Sequence, residues 1–212
     1  MRTAILISGR GSNMQALIDS CRPADAPAEI ALVISNEPSA AGLAWAAANG
    51  VPTKVVHHRD FPNRLAFDAA IDAALRAAGI QLVCLAGFMR ILTNKFVEDW
   101  RDRMINIHPS LLPDFKGLDT HARALAAGTR RHGCTVHFVR PEMDTGPIIV
   151  QASVPVQPAD TPETLAARVL KAEHRIYPLA LRWIAEGRVL VRGEQVLLDG
   201  AVRESPLVDL RG

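Results

Sequence analysis

Residues 3–13 read TAILISGRGSN, and residues 29–35 read EIALVIS. The first stretch is an apolar, β-branched run that breaks at Ser8 and Gly9 and passes into a polar turn holding a second glycine, Gly11. A strand, a glycine turn and a helix in that order open the α/β folds whose first turn meets a ligand. Working outward, further short apolar runs fall at 54–56, 82–86 (LVCLA), 104–108 (MINIH) and 134–139 (CTVHFV), with longer amphipathic stretches between them. Alternation of this kind predicts a parallel sheet with crossover helices. In 64–78, Phe67, Ile71 and Leu75 recur every fourth residue while Arg64, Asp68, Asp72 and Arg76 are expected to face largely elsewhere, so one stripe should pack on the sheet. The run Asp160-Thr-Pro-Glu predicts a helix start with Asp160 capping and Glu163 reaching back. Pro178 predicts a kink or a split in that helix. RVLVRGEQVLLDG, at 188–200, reads as a hairpin turning at Gly193-Glu194. The expected fold is α/β: a Rossmann-like open, mostly parallel, twisted sheet with helices on both faces, plus a C-terminal β-hairpin.

The 212 residues are 49% hydrophobic and 22% charged, enough for the core of one ordinary globular domain. Twenty-four Lys and Arg stand against 22 Asp and Glu, a formal charge of +2. That balance leaves no electrostatic footprint for nucleic acid or an anionic membrane surface. Small molecules are therefore the expected partners, with no nucleic acid and no membrane. Cys21, Cys84 and Cys134 lie far apart without CxxC spacing, so neither a zinc cage nor a disulfide framework is suggested, and the expected compartment is cytoplasmic. The apolar run before Ser8 is too short for a signal sequence or a membrane span.

Gly9-Arg10-Gly11-Ser12-Asn13 sits where backbone amides and a helix dipole favour an anion. The dinucleotide fingerprint would need a third glycine at Met14 and an acidic residue at Ser35-Asn36, with Glu37 one step too far on. A lone phosphomonoester on the Gly11 and Ser12 amides, the Ser12 hydroxyl and the Asn13 amide fits better than a pyrophosphate. The competing reading is a tight turn in which Ser12 merely caps the helix.

MINIH runs directly into PSLLP, so Asn106 and His108 share one face of a strand and emerge at its C-terminal end. That edge carries the ligands in open α/β sheets. A neutral hydrogen-bond donor next to a titratable acid is the minimum for stabilising an oxyanion and moving a proton. The alternative is an ordinary strand-end histidine and an exposed amide. HFVRPEMDTG, at 137–146, carries Glu142 and Asp144. A carboxylate near His108 would favour the charged imidazole and make it a better acid near neutral pH. Asp144 is the candidate, because Gly146 beside it lets backbone approach a ligand closely; a solvated loop carboxylate is the alternative. His57, His58 and His137 read as structural.

Six stretches then carry a resemblance: ISGRGSN at 7–13, VCLAGFMRIL at 83–92, NIHPSLLP at 106–113, HGCTVHFV at 132–139, DTGPII at 144–149 and AEHRIYP at 172–178. In this order they resemble the glycinamide ribonucleotide transformylase family, the 10-formyltetrahydrofolate-dependent formyltransferases of purine synthesis. The resemblance runs from residue 3 to about 187. It implies that Gly11, Ser12 and Asn13 hold the substrate phosphate, that Glu173 meets the glycinamide side with Lys171 as a helper, and that Asn106, His108 and Asp144 are catalytic. It implies a folate pocket made of Arg64, Met89, Arg90, Ile91, Leu92, Asn106 and the loop Arg140, Pro141, Glu142, Met143 and Asp144. Met89, Ile91 and Leu92 would line a pterin cleft, and Arg64 would meet the benzoyl-glutamate carboxylate. The Leu112-Pro113 bond is expected to be cis. The co-substrate implied is 10-formyltetrahydrofolate with no metal, and the assembly a monomer or weak homodimer. Residues 1–187 would form the formyltransferase catalytic domain, and 188–212 its hairpin and tail. Formyl transfer to an aminoacyl-tRNA and hydrolysis of the formyl-folate resemble the same core but usually bring an additional domain. A non-catalytic nucleotide-binding module would have no reason to keep Asn106, His108 and Asp144 together.

Overall fold

The computed structural model describes residues 1–202 and the backbone of 207–209. In chain order the elements are β1 (Arg2–Ile7), α1 (Ser12–Ser20), β2 (Glu29–Ser35), α2 (Ala41–Ala48), β3 (Thr53–Val55), a 3₁₀ turn (His58–Asp60), α3 (Arg64–Ala77), β4 (Leu82–Leu85), α4 (Asn94–Asp99) and β5 (Met104–His108). They continue with α5 (Thr120–Ala126), β6 (Arg131–Phe138), β7 (Ile148–Pro155), α6 (Pro162–Ala185), β8 (Val189–Arg192), β9 (Gln195–Leu198), β10 (Ala201–Val202) and β11 (Leu207–Asp209). Strand order is β11-β7-β6-β5-β4-β1-β2-β3, with a separate sheet β10-β9-β8. β1 pairs in parallel with β2 and β4, β2 with β3, β4 with β5, and β7 with β11, whereas β6 and β7 are antiparallel. This is the mostly parallel α/β sheet anticipated. No helix among the described residues is long and apolar enough to cross a membrane.

The chain divides into two units, Met1–Asn106 and Ile107–Gly212. In the first, β1 is buried along all but its first residue, as befits a parallel strand covered on both faces. Asn63 caps α3 by accepting from the Ala66 amide, and the helix buries Phe67, Ile71 and Leu75 as the spacing predicted. Asp68, expected to face away, is buried with them. Its carboxylate accepts from the Thr93 amide at 2.7 Å, and Thr93 in turn caps α4, so the charge serves the neighbouring helix start.

The second unit holds a strand the apolar pattern did not reveal. β7 is buried along six of its eight residues, yet two of those are Gln151 and Ser153, which interrupt the apolar run. Gln151 is satisfied by donating to the Leu112 carbonyl and the Thr135 hydroxyl, both at 2.9 Å. Close pairing of β6 and β7 depends on Gly133, where a Cβ would lie 1.9 Å from the Ala152 carbonyl oxygen. Gly133→Ala is expected to cost about 3 kcal/mol, the upper end for overpacking against backbone. A lowered denaturant midpoint at unchanged m-value is the readout.

The cap of α6 differs from expectation. Thr161 is the N-cap, its side chain accepting from the Thr164 amide while Thr164 Oγ1 accepts from the Thr161 amide. Asp160 is taken instead by Arg168, with contacts of 2.6 and 2.8 Å that hold its carboxyl well below the usual range. Pro178 does not split the helix, which runs through it from Pro162 to Ala185. A buried stripe of Leu165, Val169, Ala172, Ile176 and Ala180 carries the helix past the missing amide. β8 and β9 form the expected hairpin, and β10 adds a third strand. Within the expected 188–212 tail, 203–206 and 210–212 lie outside the described residues.

Candidate active site

In the first unit, β1 ends at Ile7 and the glycine turn follows. Gly11 is the N-cap of α1 with φ +74, and a Cβ there would press on Met14 Cε at 3.0 Å. Ser12 is therefore the first helical residue and not the cap, which removes the plain capping reading. The Ser12 and Asn13 amides lie in the first turn, where the helix offers no acceptors and its dipole is positive. The Gly42 amide donates to the Gly9 carbonyl at 3.1 Å, so α2 closes on the turn.

Ser8 ties this turn to its neighbours. Its hydroxyl donates to Asn36 Oδ1, beyond β2, and accepts from the Met89 amide at 2.7 Å. In the loop that follows, Leu92 is buried, while Met89 and Ile91 are 69% and 65% exposed and present apolar surface to solvent. A cavity of about 190 Å³ is lined by His58, Phe61, Asn63, Arg64, Phe67 and Arg90. Two guanidiniums on so small a concavity suit a carboxylate better than a whole heterocycle. Among the described residues, Glu37, His57 and His58 stand close enough to share a cation. Ordinary partners account for the group: His57 Nδ1 is 3.2 Å from Asp60, and His58 Nδ1 is 3.2 Å from the Asn36 carbonyl and 3.5 Å from Glu37.

β5 carries Asn106, half-buried and in register with Leu85, and ends two residues later at His108. In the second unit, His108 Nδ1 lies 3.5 Å from Asp144 Oδ2, both side chains being less than a tenth exposed. His108 Nε2 is 3.0 Å from the Phe115 carbonyl oxygen. Acceptors thus flank both ring nitrogens. Asp144 adopts φ +54, a left-handed conformation that Asp tolerates better than most residues, and its Oδ2 accepts from the Gly117 amide at 2.9 Å. His137 Nε2 stands 3.8 Å from Asp144 Oδ1, while its Nδ1 is 2.9 Å from the Phe138 carbonyl oxygen. Burial holds the His137 pKa down to about 4, so this ring is neutral near pH 7. His121 and His132 pack edge to face with centroids 5.2 Å apart. Burial lowers both, His132 to about 4.

Gly146 does bring two groups close, but both belong to the protein. A Cβ there would fall 1.7 Å from the Phe138 carbonyl oxygen, so the glycine serves the chain's own crossing and not a ligand's approach. Pro141, Glu142 and Met143 are exposed, whereas the Arg140 side chain is 6% exposed and ion-paired to Glu194. Glu173 is buried on α6, and its charge adds to burial in pushing the Cys134 thiol up. Lys171, two residues earlier on the same helix, is exposed. The Leu112-Pro113 bond is cis, as the family pattern implied. Phe115, Gly117 and the facing of His137 toward Asp144 had no sequence signal beyond the glycine itself.

The formyl transferase family model matches residues 1–181. The chain is 53% identical over 188 residues to the trifunctional purine biosynthetic protein adenosine-3 of Homo sapiens, covering 89% of this chain and 19% of that protein. It spans about a fifth of that relative's length, and less of some others. Similarity to phosphoribosylglycinamide formyltransferase of Haemophilus influenzae is 45% identity over 199 residues, covering 94% of each chain. Among solved structures, phosphoribosylglycinamide formyltransferase of Coxiella burnetii in complex with CHES superposes with TM-score 0.93 at 44% identity, covering 98% of each chain.

Proposed function

The chain belongs to the formyl transferase family, and on that footing we propose that it transfers the formyl group of 10-formyltetrahydrofolate to the amine of phosphoribosylglycinamide in purine biosynthesis. The products are formylglycinamide ribonucleotide and tetrahydrofolate. The observation that carries this reading is the buried His108–Asp144 pair at the end of the strand that also holds Asn106.

The unprotonated amine attacks the formyl carbon, forming the N–C bond while the carbonyl pair moves onto oxygen. Asn106 and His108 donate to that oxyanion. The Nε2 proton that faces the Phe115 carbonyl at 3.0 Å exchanges one acceptor for another. Donors placed this way contribute roughly 3 kcal/mol each in acyl-transfer sites. Asp144 orients the ring through Nδ1 and, through a water, passes the amine proton to N10. The oxyanion pair then re-forms the C=O bond as the C–N10 bond breaks, its electron pair left on N10, which has gained that proton.

For binding, Gly11, Ser12 and Asn13 take the phosphate, and Glu173 the glycinamide side. Arg64 and Arg90 take the benzoyl-glutamate carboxylates, a solvent-exposed contact that is modest and salt-sensitive. Met89, Ile91, Leu92 and the 140–144 loop meet the pterin. Both ligands are anionic and the chain's formal charge is only +2, so recognition rests on these local groups and not on the overall field.

Incubation with both substrates and chromatographic separation tests the assignment. Formylglycinamide ribonucleotide should appear in step with tetrahydrofolate. Formate without that product would replace the reading with hydrolysis, and absence of turnover would replace it with a binding module.

A further inference from the structure

The loop between β6 and β7 carries Asp144, yet its second residue, Arg140, is secured from a distant part of the chain. Arg140 Nε lies 2.9 and 3.1 Å from the two carboxylate oxygens of Glu194, a residue at the tip of the β8–β9 hairpin. The two partners differ sharply in exposure, 6% for the Arg140 side chain and 56% for Glu194. A guanidinium that deeply enclosed gains from a close counter-charge, and losing the Glu194 carboxylate weakens its hold. Arg140 also donates to the Val139 carbonyl at 3.2 Å, and its Cγ would be 3.1 Å from a Cβ at Gly146. One side chain therefore touches both the start and the end of the loop that bears Asp144.

We propose that Glu194 is a positioning residue and that the C-terminal hairpin is a clamp, holding through Arg140 the loop that sets Asp144 against His108. Asp144 depends on that loop for its left-handed backbone and for its reach to the Gly117 amide, neither of which a strand or helix enforces. With Glu194 removed, Arg140 loses its tie to the hairpin, the loop base loosens, and the 3.5 Å spacing of His108 and Asp144 is held less firmly. The catalytic part of this inference rests on the proposed formyl transfer; the clamp itself does not.

Hydrogen exchange on the ligand-free full chain tests the clamp without any assay of activity. In Glu194→Ala, amides of 139–147 should exchange at least 5-fold faster, while those of β1 and β4 keep their rates. Arg140→Met removes the buried charge, so adding Glu194→Ala to that background should change exchange in 139–147 no further. Unchanged exchange in the single variant, or an undiminished Glu194 effect in the Arg140→Met background, would overturn the clamp. Given transfer activity, Glu194→Ala should lower kcat/KM about 10-fold and alter its pH profile, with Glu194→Gln intermediate because its amide oxygen still accepts one bond. An altered exchange pattern together with no transfer in the parent chain would sink the functional reading alone. An altered exchange pattern with full activity and an unchanged pH profile would sink the positioning role alone.

Discussion

His108→Asn is expected to lower kcat by about 10³-fold, with the KM of either substrate changed far less, in steady-state assays near neutral pH. In the proposed mechanism the substitution removes the Nε2 donor to the oxyanion, which acts mainly in the transition state, so the loss belongs in kcat. Asparagine suits the test because its amide falls near the Nδ1 edge of the ring, where it can still donate toward Asp144 Oδ2, while the Nε2 donor is lost. The fold around the 7%-exposed side chain is thereby kept, and circular dichroism with a thermal melt would verify it. A loss under 10-fold would remove His108 from the chemistry.

Asp144→Asn should lower kcat about 10²-fold and change the shape of the pH–rate profile. Asn tolerates the φ of +54 and its amide oxygen can still accept from the Gly117 amide, so the change isolates the charge that faces His108. Asp144→Ala would add a structural cost of roughly 1–3 kcal/mol, since the Gly117 amide loses its acceptor. Equal kcat values in the Asn variant and the parent, with superimposable profiles, would mean that the carboxylate has no part in the proton transfer.

The parts of the fold legible in the sequence were those encoded by short-range pattern. β1, β2, β4 and β5 showed as apolar runs because parallel strands covered on both faces have no solvent side to interrupt them. β7 stayed hidden because Gln151 and Ser153 sit in its interior, and only the partner across the sheet, Thr135, explains Gln151 there. The start of α6 offered two capping residues in succession, and which one caps was decided by Arg168, a side chain that claims Asp160 from eight residues away. The site divides along the same line. His108 is marked by its strand position, and Asp144 by residue type, the nearby Gly146 and the family resemblance. Arg140's partner lies 54 residues away, a separation no local pattern spans. Gly146 was singled out for a sound reason, close approach, but the approaching group is the Phe138 carbonyl and not a ligand.

The Ser8 hydroxyl, bonded to Asn36 on one side and the Met89 amide on the other, makes the glycine turn and the 89–92 loop parts of a single strut. Two guests that each tighten one end of a strut cannot bind independently. If the turn takes the phosphate and the loop the folate, as proposed, occupancy of either should strengthen the other, by the same factor in both directions. Ser8→Ala would cut that linkage in both directions at once, leaving each ligand with the affinity it has alone.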